Sequence, residues 1–431
     1  MAAPVNPPRG MRDFLPADKA RREHALGIIK RVYRSHGFDE IETPVVEDYA
    51  RLHAGLGGDN EKLSFSILKR GIRPEALAEA AAAGDVEQLA DLGLRFDLTV
   101  PLTRFYASHR AELPPVFRSI QIGPVWRAER PQKGRYRQFV QADIDIIGEP
   151  GLLAEIELIT ATSQALAELG LQGCVIRVND RRILFGLLGH CGFADETHDR
   201  ALITIDKLDK IGASGVVDEL REIDAAGAER IGAVLAAVEP SLAGDGIALT
   251  RAAIEAVLPA GAATEGVVNL VALGEALDGA LPEGVEVRFD PTLVRGMGYY
   301  TGTIFEVAHP GSGSSVGGGG RYDGMVGRFL GQDVPAVGFS IGFERVVDLI
   351  ELPEQSGPEA VALVFDADID FHELLVLKRE LVARGHRVRL EKRQKNMKTL
   401  LARIVDEGFT RFANVRAGMG VDDLELRELT E

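Results

Sequence analysis

Residues 123–139, GPVWRAERPQKGRYRQF, hold five cations (Arg127, Arg130, Lys133, Arg135, Arg137) against one carboxylate, Glu129. Alone, this run reads as a solvated charged hairpin; among the segments below it reads as an anion site, because planar guanidiniums suit phosphate oxygens. Residues 293–306, LVRGMGYYTGTIFE, set one arginine, Arg295, among apolar and aromatic neighbours, where it needs an anion, a nearby carboxylate or an exit to solvent. Residues 317–320 are all glycine and precede Arg321, Tyr322 and Asp323; such a run is either a plain loop or a place where backbone approaches a ligand closely. Residues 338–345, GFSIGFER, alternate glycine with apolar residues and lead into a helix presenting Arg345, or form a buried strand with a capping arginine. Three isolated guanidiniums over a glycine-lined floor suit a bent triphosphate, whose chemistry needs mainly positioning and cationic stabilisation. The chain has no GxxxxGK[ST] and no GxGxxG opening a helix after a strand, so neither common glycine loop would hold the nucleotide.

The elements that must position these groups follow from periodicity. A helix is predicted over 18–36, with Ala25, Leu26, Ile29, Val32 and Tyr33 on one face, Asp18 as N-cap and Gly37 as stop. A strand over 38–46 is interrupted near Pro44, and 72–91 reads as an alanine-rich, acidic, helical surface insertion. Residues 92–104 read as a strand and a helix starting near Pro101. The apolar runs 116–125 and 139–147 flank the basic loop as two strands, followed by a helix over 152–169 and a strand over 174–178. Strands return at 285–289 and 301–307, then a glycine-dense turn over 311–324.

The expected organisation is a catalytic domain in two parts, 1–182 and 285–350, with a helical insertion at 183–284. A linker at 351–358 leads to a small α/β domain at 359–431, with strands at 361–365, 387–391 and 412–415 and helices at 371–384 and 397–407. The fold class is α/β (α+β).

A chain of 431 residues has room for two to three domains, and 45% hydrophobic with 26% charged residues is ordinary for a soluble protein. No apolar run approaches the ~20 residues of a membrane span, and the opening MAAPVNPPRGMRDFLP lacks a signal-like apolar core. Cys174 and Cys191 show no metal-ligand spacing and the histidines are scattered, so a reducing cytoplasm and no dedicated metal site are expected. The net charge of −16 argues against general nucleic-acid binding and against DNA as a partner. Residues 378–403 nonetheless carry ten basic side chains against Glu380 and Glu391. An acidic chain with two basic segments suggests selective docking of a polyanion.

These segments resemble the histidyl-tRNA synthetases, a class II aminoacyl-tRNA synthetase family, over almost the whole length. The basic hairpin resembles class II motif 2, residues 338–345 resemble motif 3, and the helix and strand around Pro44 resemble the dimer-forming motif 1. LVRGMGYYTGTIFE and GGGGRYDG resemble the two peptides peculiar to the histidine enzymes.

The resemblance implies an antiparallel-sheet catalytic domain, a homodimer through the motif 1 region, ATP with Mg2+, L-histidine and histidine tRNA, and no membrane. It implies that Arg127 and Arg295 grip the α-phosphate, that Arg345 holds the γ-phosphate, and that Glu129 and Phe139 contact adenine. Asp97, Thr99 and Gln141 would contact the α-amino group. Asp145 and Tyr300 would read the imidazole, with Tyr299 and Tyr322 closing the pocket. A carboxylate with a phenol matches a ring that presents both a donor and an acceptor. Arg130, Gln132 and Lys133 would face the acceptor stem. The anticodon side would use Arg387, Arg389, Lys392, Arg393, Lys395 and Lys398, in a domain that resembles the anticodon-binding module.

The chain departs from the family pattern at Gly298, where an acidic residue is common, and in RFDLT, residues 95–99, which replaces RPEGT. It departs also in the insertion at 72–91 and in a short C-terminal domain. Two other readings are a non-catalytic, histidine-sensing regulatory subunit of ATP phosphoribosyltransferase and a paralogue that activates an amino acid for a non-tRNA acceptor. The first predicts loss of the phosphate-binding arginines and of the C-terminal domain; the short C-terminal domain leaves the second open.

Overall fold

A computed structural model describes residues 5–53, 63–85, 87–131, 134–243, 246–262, 264–295, 299–351 and 359–429. Gln132, Lys133, Gly298 and most of the expected linker lie outside the described residues. The chain divides into two compact units, Met1–Phe14 with Arg22–Glu351 and Leu15–Arg21 with Leu352–Glu431.

The larger unit is built on an eight-stranded sheet. Its strands are β1 (Asp39–Glu40), β5 (Phe117–Trp126), β6 (Gln138–Ile147), β7 (Cys174–Asp180), β8 (Val285–Phe289), β9 (Thr303–Ala308), β10 (Gly317–Arg321) and β11 (Ala336–Ile341). A separate three-stranded sheet holds β2 (Val46–Asp48), β3 (Phe65–Leu68) and β4 (Ala90–Leu94). The large sheet runs β1-β5-β6-β11-β10-β9-β7-β8, antiparallel except at its two edge pairs.

Period-two patterning decides what each face carries. Ala142, Ile144 and Ile146 of β6 enter a core shared with the helices Pro16–Ser35 and Leu153–Glu168, through residues such as Ile29, Tyr33, Leu158 and Ile159. Gln141, Asp143 and Asp145 alternate with them, and all three line a cavity. Helices Arg181–His190, His198–Ile205 and Thr264–Leu277 contribute Leu184, Leu187, Leu202, Leu270 and Leu273 to the same two cores as the sheet.

Several elements differ from the sequence expectations. The long helix begins at Pro16, so Asp18 sits in its first turn instead of capping it; proline favours that opening position. The strand expected over 38–46 is two strands, β1 and β2, in different sheets. The helix expected near Pro101 starts at Thr99, where the Asp97 carboxylate accepts from the Val100 N–H at 3.1 Å. Pro101 falls in that first turn, where a missing N–H removes no helical bond.

The glycine-dense turn expected over 311–324 is corrected most sharply, because its four consecutive glycines, 317–320, lie in β10, a buried interior strand. A Cβ on Gly320 would meet Thr303 O at 2.7 Å, and one on Gly318 would meet Phe305 O at 2.7 Å. Glycine here thus records close approach of neighbouring backbone, not a turn.

The smaller unit has a four-stranded sheet ordered β13-β12-β14-β15: β12 (Ala360–Phe365), β13 (Arg387–Lys392), β14 (Arg411–Val415) and β15 (Arg427–Glu428). β12, β13 and β14 are parallel, with Val361 and Leu363 packed with Leu374, Leu377 and Leu381, and Ala362 and Val364 with Leu400 and Ile404. Both faces are covered, as parallel strands require. The sequence reading missed β15, a two-residue antiparallel edge strand too short for any periodic signal.

Candidate active site

One row of cross-strand partners runs over six strands of the large sheet: Gln121, Asp143, Ser340, Gly318, Glu306 and, on β7, Arg177. The neighbouring row holds Asp145, Gly338 and Gly320. These rows make a polar floor without bulk at its centre, and above them lies a cavity of about 350 Å³. Arg127, Arg295 and Arg345 all line it, although 218 residues separate the first from the last.

Arg295 owes its place to the glycine strand. Its guanidinium donates to Glu306 Oε2 at 2.7 Å, and a Cβ at position 318 would come within 2.9 Å of its Nη1. Burial works to lower the Arg295 pKa, but Tyr300 and Glu306 raise it on balance, so it stays a cation. Arg127 donates through Nε to Phe96 O at 2.9 Å, and its Cζ stands 5.2 Å from the centre of the Phe139 ring. Arg345 extends from the first turn of the helix Phe343–Leu349 and donates to Ser315 O. Burial, then repulsion from Arg135 and Arg295, lower its pKa, as expected for guanidiniums gathered around space an anion could fill.

The other end of the cavity is aromatic and acidic. Tyr322 O–H donates to Asp145 Oδ1 at 2.6 Å, and the Tyr299 ring lies 4.8 Å from Tyr300 and 6.1 Å from Tyr322. Burial pushes Asp145 up to about 7; the Tyr322 hydrogen bond restrains the rise and Asp97 adds to it. Asp143 is also raised well above the ordinary carboxylate range, first by burial and then by Asp145. Two adjacent buried carboxylates with raised pKa values favour a ligand that brings donors or positive charge.

Of the residues expected from sequence, the cavity brings together Arg127, Glu129, Phe139, Gln141, Asp145, Thr99, Arg295, Tyr299, Tyr300, Tyr322 and Arg345. Asp97 does not line it; it is buried, caps the helix at Val100 and acts on Asp145 through its charge. Arg321 turns away into ion pairs with Glu155 at 2.7 Å and Asp323 at 3.2 Å. Arg130 is exposed.

In the smaller unit Arg387, Lys392, Arg393, Lys395 and Lys398 are exposed. Arg389 is tied to Glu391 at 2.5 Å and to Glu407, and Arg393 to Asp366 at 2.8 Å, so part of that basic stretch is neutralised within the unit.

Sequence reasoning missed Asp143, Glu306, Ser340, Tyr136 and Glu344 on the cavity wall. Asp143 was within reach: it stands midway between Gln141 and Asp145 in QADID, and strand alternation puts all three on one face. Glu344 had no local signal. Its carboxylate accepts from Arg22 at 2.6 and 2.8 Å, from the Val140 N–H at 3.0 Å and from Arg12.

The family model described as "Histidyl-tRNA synthetase" matches residues 10–346, which include every element of this cavity. The chain belongs to the histidyl-tRNA synthetase family. As a member of that family it is an aminoacyl-tRNA ligase. It is 66% identical over 431 residues to a histidine–tRNA ligase of Leifsonia xyli subsp. xyli, covering 100% of both chains. It is 44% identical over 415 residues to a probable histidine–tRNA ligase of Tropheryma whipplei, covering 95% of each. Among solved structures, a histidyl-tRNA synthetase from Nostoc sp. PCC 7120 superposes with a TM-score of 0.73 at 25% identity, over 96% of this chain and 92% of that one. The class II fold expected from the sequence is therefore the fold of this chain. No helix among the described residues is long and apolar enough to cross a membrane.

Proposed function

We propose that this cavity joins histidine to ATP, releasing pyrophosphate and leaving histidyl-adenylate, and then passes the histidyl group to the terminal ribose of histidine tRNA. The observation that carries the reading is the convergence of Arg127, Arg295 and Arg345 on one cavity whose far end is Asp145 hydrogen-bonded to Tyr322. In the first step a histidine carboxylate oxygen attacks the α-phosphorus, the bond from that phosphorus to the α,β-bridging oxygen breaks, and pyrophosphate leaves with the electron pair. Negative charge builds on the α-phosphoryl oxygens, where Arg127 and Arg295 would meet it. Arg345 would hold the γ-phosphate, so that ATP bends over the glycine floor. Phe139 and Glu129 would contact adenine. Glu306 keeps Arg295 oriented before substrate arrives, so little reorganisation is needed when charge develops.

At the other end Asp145 and Tyr300 would read the two ring nitrogens, Tyr299 and Tyr322 would close around them, and Thr99 and Gln141 would serve the α-amino group, with Asp97 acting from behind the wall through its charge. A site built on such hydrogen bonds rejects analogues lacking them by roughly 10⁴-fold or more.

ATP fits the residues present, which supply cations and a glycine floor. The wall carboxylates Glu306 and Glu344 are engaged by arginines, and the described residues hold no cluster of three or more metal ligands. Mg2+ would thus arrive on the phosphates and neutralise their charge.

Arg130, Gln132 and Lys133 would face the acceptor stem, and Lys392, Lys395 and Lys398 the anticodon arm. A homodimer through the segment around Pro44 and a cytoplasmic location complete the reading. The regulatory-subunit and non-tRNA alternatives are not favoured, since the relative matched over the full chain at 66% identity is named a histidine–tRNA ligase.

The test is histidine-dependent pyrophosphate–ATP exchange, followed by charging of histidine tRNA transcripts. Exchange without charging would point to a different acceptor; no exchange would refute the activity.

A further inference from the structure

Residues 9–14, RGMRDF, belong to none of the motifs used above, yet they join two walls of the cavity. Arg12 donates to Glu344, and its guanidinium carbon stands 3.4 Å from the centre of the Tyr136 ring. Tyr136 and Glu344 both line the cavity. The first belongs to the basic loop that carries Arg127 and Glu129, and the second is the chain neighbour of Arg345.

A second tie lies beside the first. Gly10 O accepts from the Arg137 N–H at 2.8 Å, and Gly10 has φ +83°, where a Cβ would meet Pro131 Cγ at 2.8 Å and Arg137 Cγ at 2.9 Å. Glycine is required there by both the backbone sign and the space.

Neutralising Glu344 is not the distinctive task of Arg12, because Arg22 already grips both oxygens of that carboxylate, at 2.6 and 2.8 Å. What Arg12 alone adds is contact with the loop. The loop has reason to spread, since Arg135 on it and Arg345 on the helix repel one another when no anion lies between them.

We infer that residues 9–14 act as a strap, with Gly10 and Arg12 holding the Tyr136 side of the basic loop against the helix that presents Arg345, so that the nucleotide end of the cavity is formed before ATP arrives. Arg12 is then a positioning residue: it touches no reacting atom and works through Tyr136 and Glu344. The inference rests on reading the cavity as the site of ATP-dependent activation.

Pyrophosphate–ATP exchange is measured for the wild type, Arg12→Ala, Tyr136→Leu and Tyr136→Phe. Loss of one partly buried cation–π tie is expected to raise the ATP KM by about tenfold in Arg12→Ala and Tyr136→Leu. The histidine KM and kcat should stay within about twofold, and Tyr136→Phe, which keeps the ring face, should behave as wild type. An unchanged ATP KM in folded Arg12→Ala overturns the inference, and so does an equal rise in the ATP and histidine KM values. If Arg12→Ala does not fold, Tyr136→Leu reads the same tie from the loop side. An active wild type with indifferent variants refutes the strap alone, whereas a wild type without exchange refutes the activity and the strap with it.

Discussion

Replacing Asp145 by asparagine should make the chain more stable and less active, and the gain should depend on pH. In the folded chain burial raises the Asp145 carboxyl from its ordinary 3.8 to about 7. Between those values the folded chain holds a proton that the unfolded chain has released, so stability falls as pH rises through that interval. A carboxyl raised that far corresponds to ~4 kcal/mol of lost stability once the pH exceeds 7. Asparagine keeps an oxygen for the Tyr322 hydroxyl but has nothing to ionise. Relative to wild type, Asp145→Asn should be near neutral at pH 4 and more stable by up to ~4 kcal/mol at pH 8.

Part of that gain belongs to the pair, because Asp145 also raises Asp143, and removing one charge relieves the other. The assay is urea unfolding across pH 4–8 followed by fluorescence of Trp126, the one tryptophan of the chain, which lies at the end of β5 in the larger unit. In parallel, histidine-dependent exchange should fall about 10–100-fold, the effect of removing a hydrogen bond to a charged group. A stability difference that stays flat with pH, or that favours wild type at pH 8, would refute the reasoning: Asp145 would then be ionised and stabilised in the free chain.

Three further outcomes are expected. Arg295→Ala should depress kcat for adenylate formation far more than it weakens histidine binding, measured by exchange kinetics beside direct binding; an unchanged turnover removes Arg295 from the mechanism. Gly318→Ala places a Cβ 2.9 Å from Arg295 Nη1 and 2.7 Å from Phe305 O. Overpacking of this kind should destabilise by about 1–3 kcal/mol, read by thermal unfolding, with exchange lost beyond what unfolding explains. Charge reversal of Lys392, Lys395 and Lys398 together should lower tRNA charging and flatten its salt dependence while leaving exchange intact; equal loss in both assays would place these residues outside tRNA docking.

Much of the site was legible because its signals are local. An arginine isolated among apolar residues, tyrosines in succession and a basic run between two strand patterns each mark their own position without knowledge of the rest. Asp143 shows the limit of that reading: the alternation that includes it is in the sequence, but only its burial beside Asp145 makes it a cavity residue. The glycine strand was misread for a related reason. Four glycines promise conformational freedom in isolation, and only the neighbouring β9 and β11 turn that freedom into a need for space. Glu344 lay further still from view, since its partners Arg12 and Arg22 are 332 and 322 residues away along the chain.

The sequence by itself determined which groups were available: guanidiniums that suit phosphate, a carboxylate and phenols to which the family resemblance gives an imidazole ring, and strands and helices whose periodicity placed those groups on particular faces. Only the tertiary structure decided that they share one cavity. Cross-strand register aligns Asp143, Ser340, Gly318 and Glu306 in a single row. Register is chosen by the burial of whole faces at once, because a slip of one residue would turn every side chain of a strand to the opposite side. That choice depends on segments far apart in the chain, so no local pattern could have announced it.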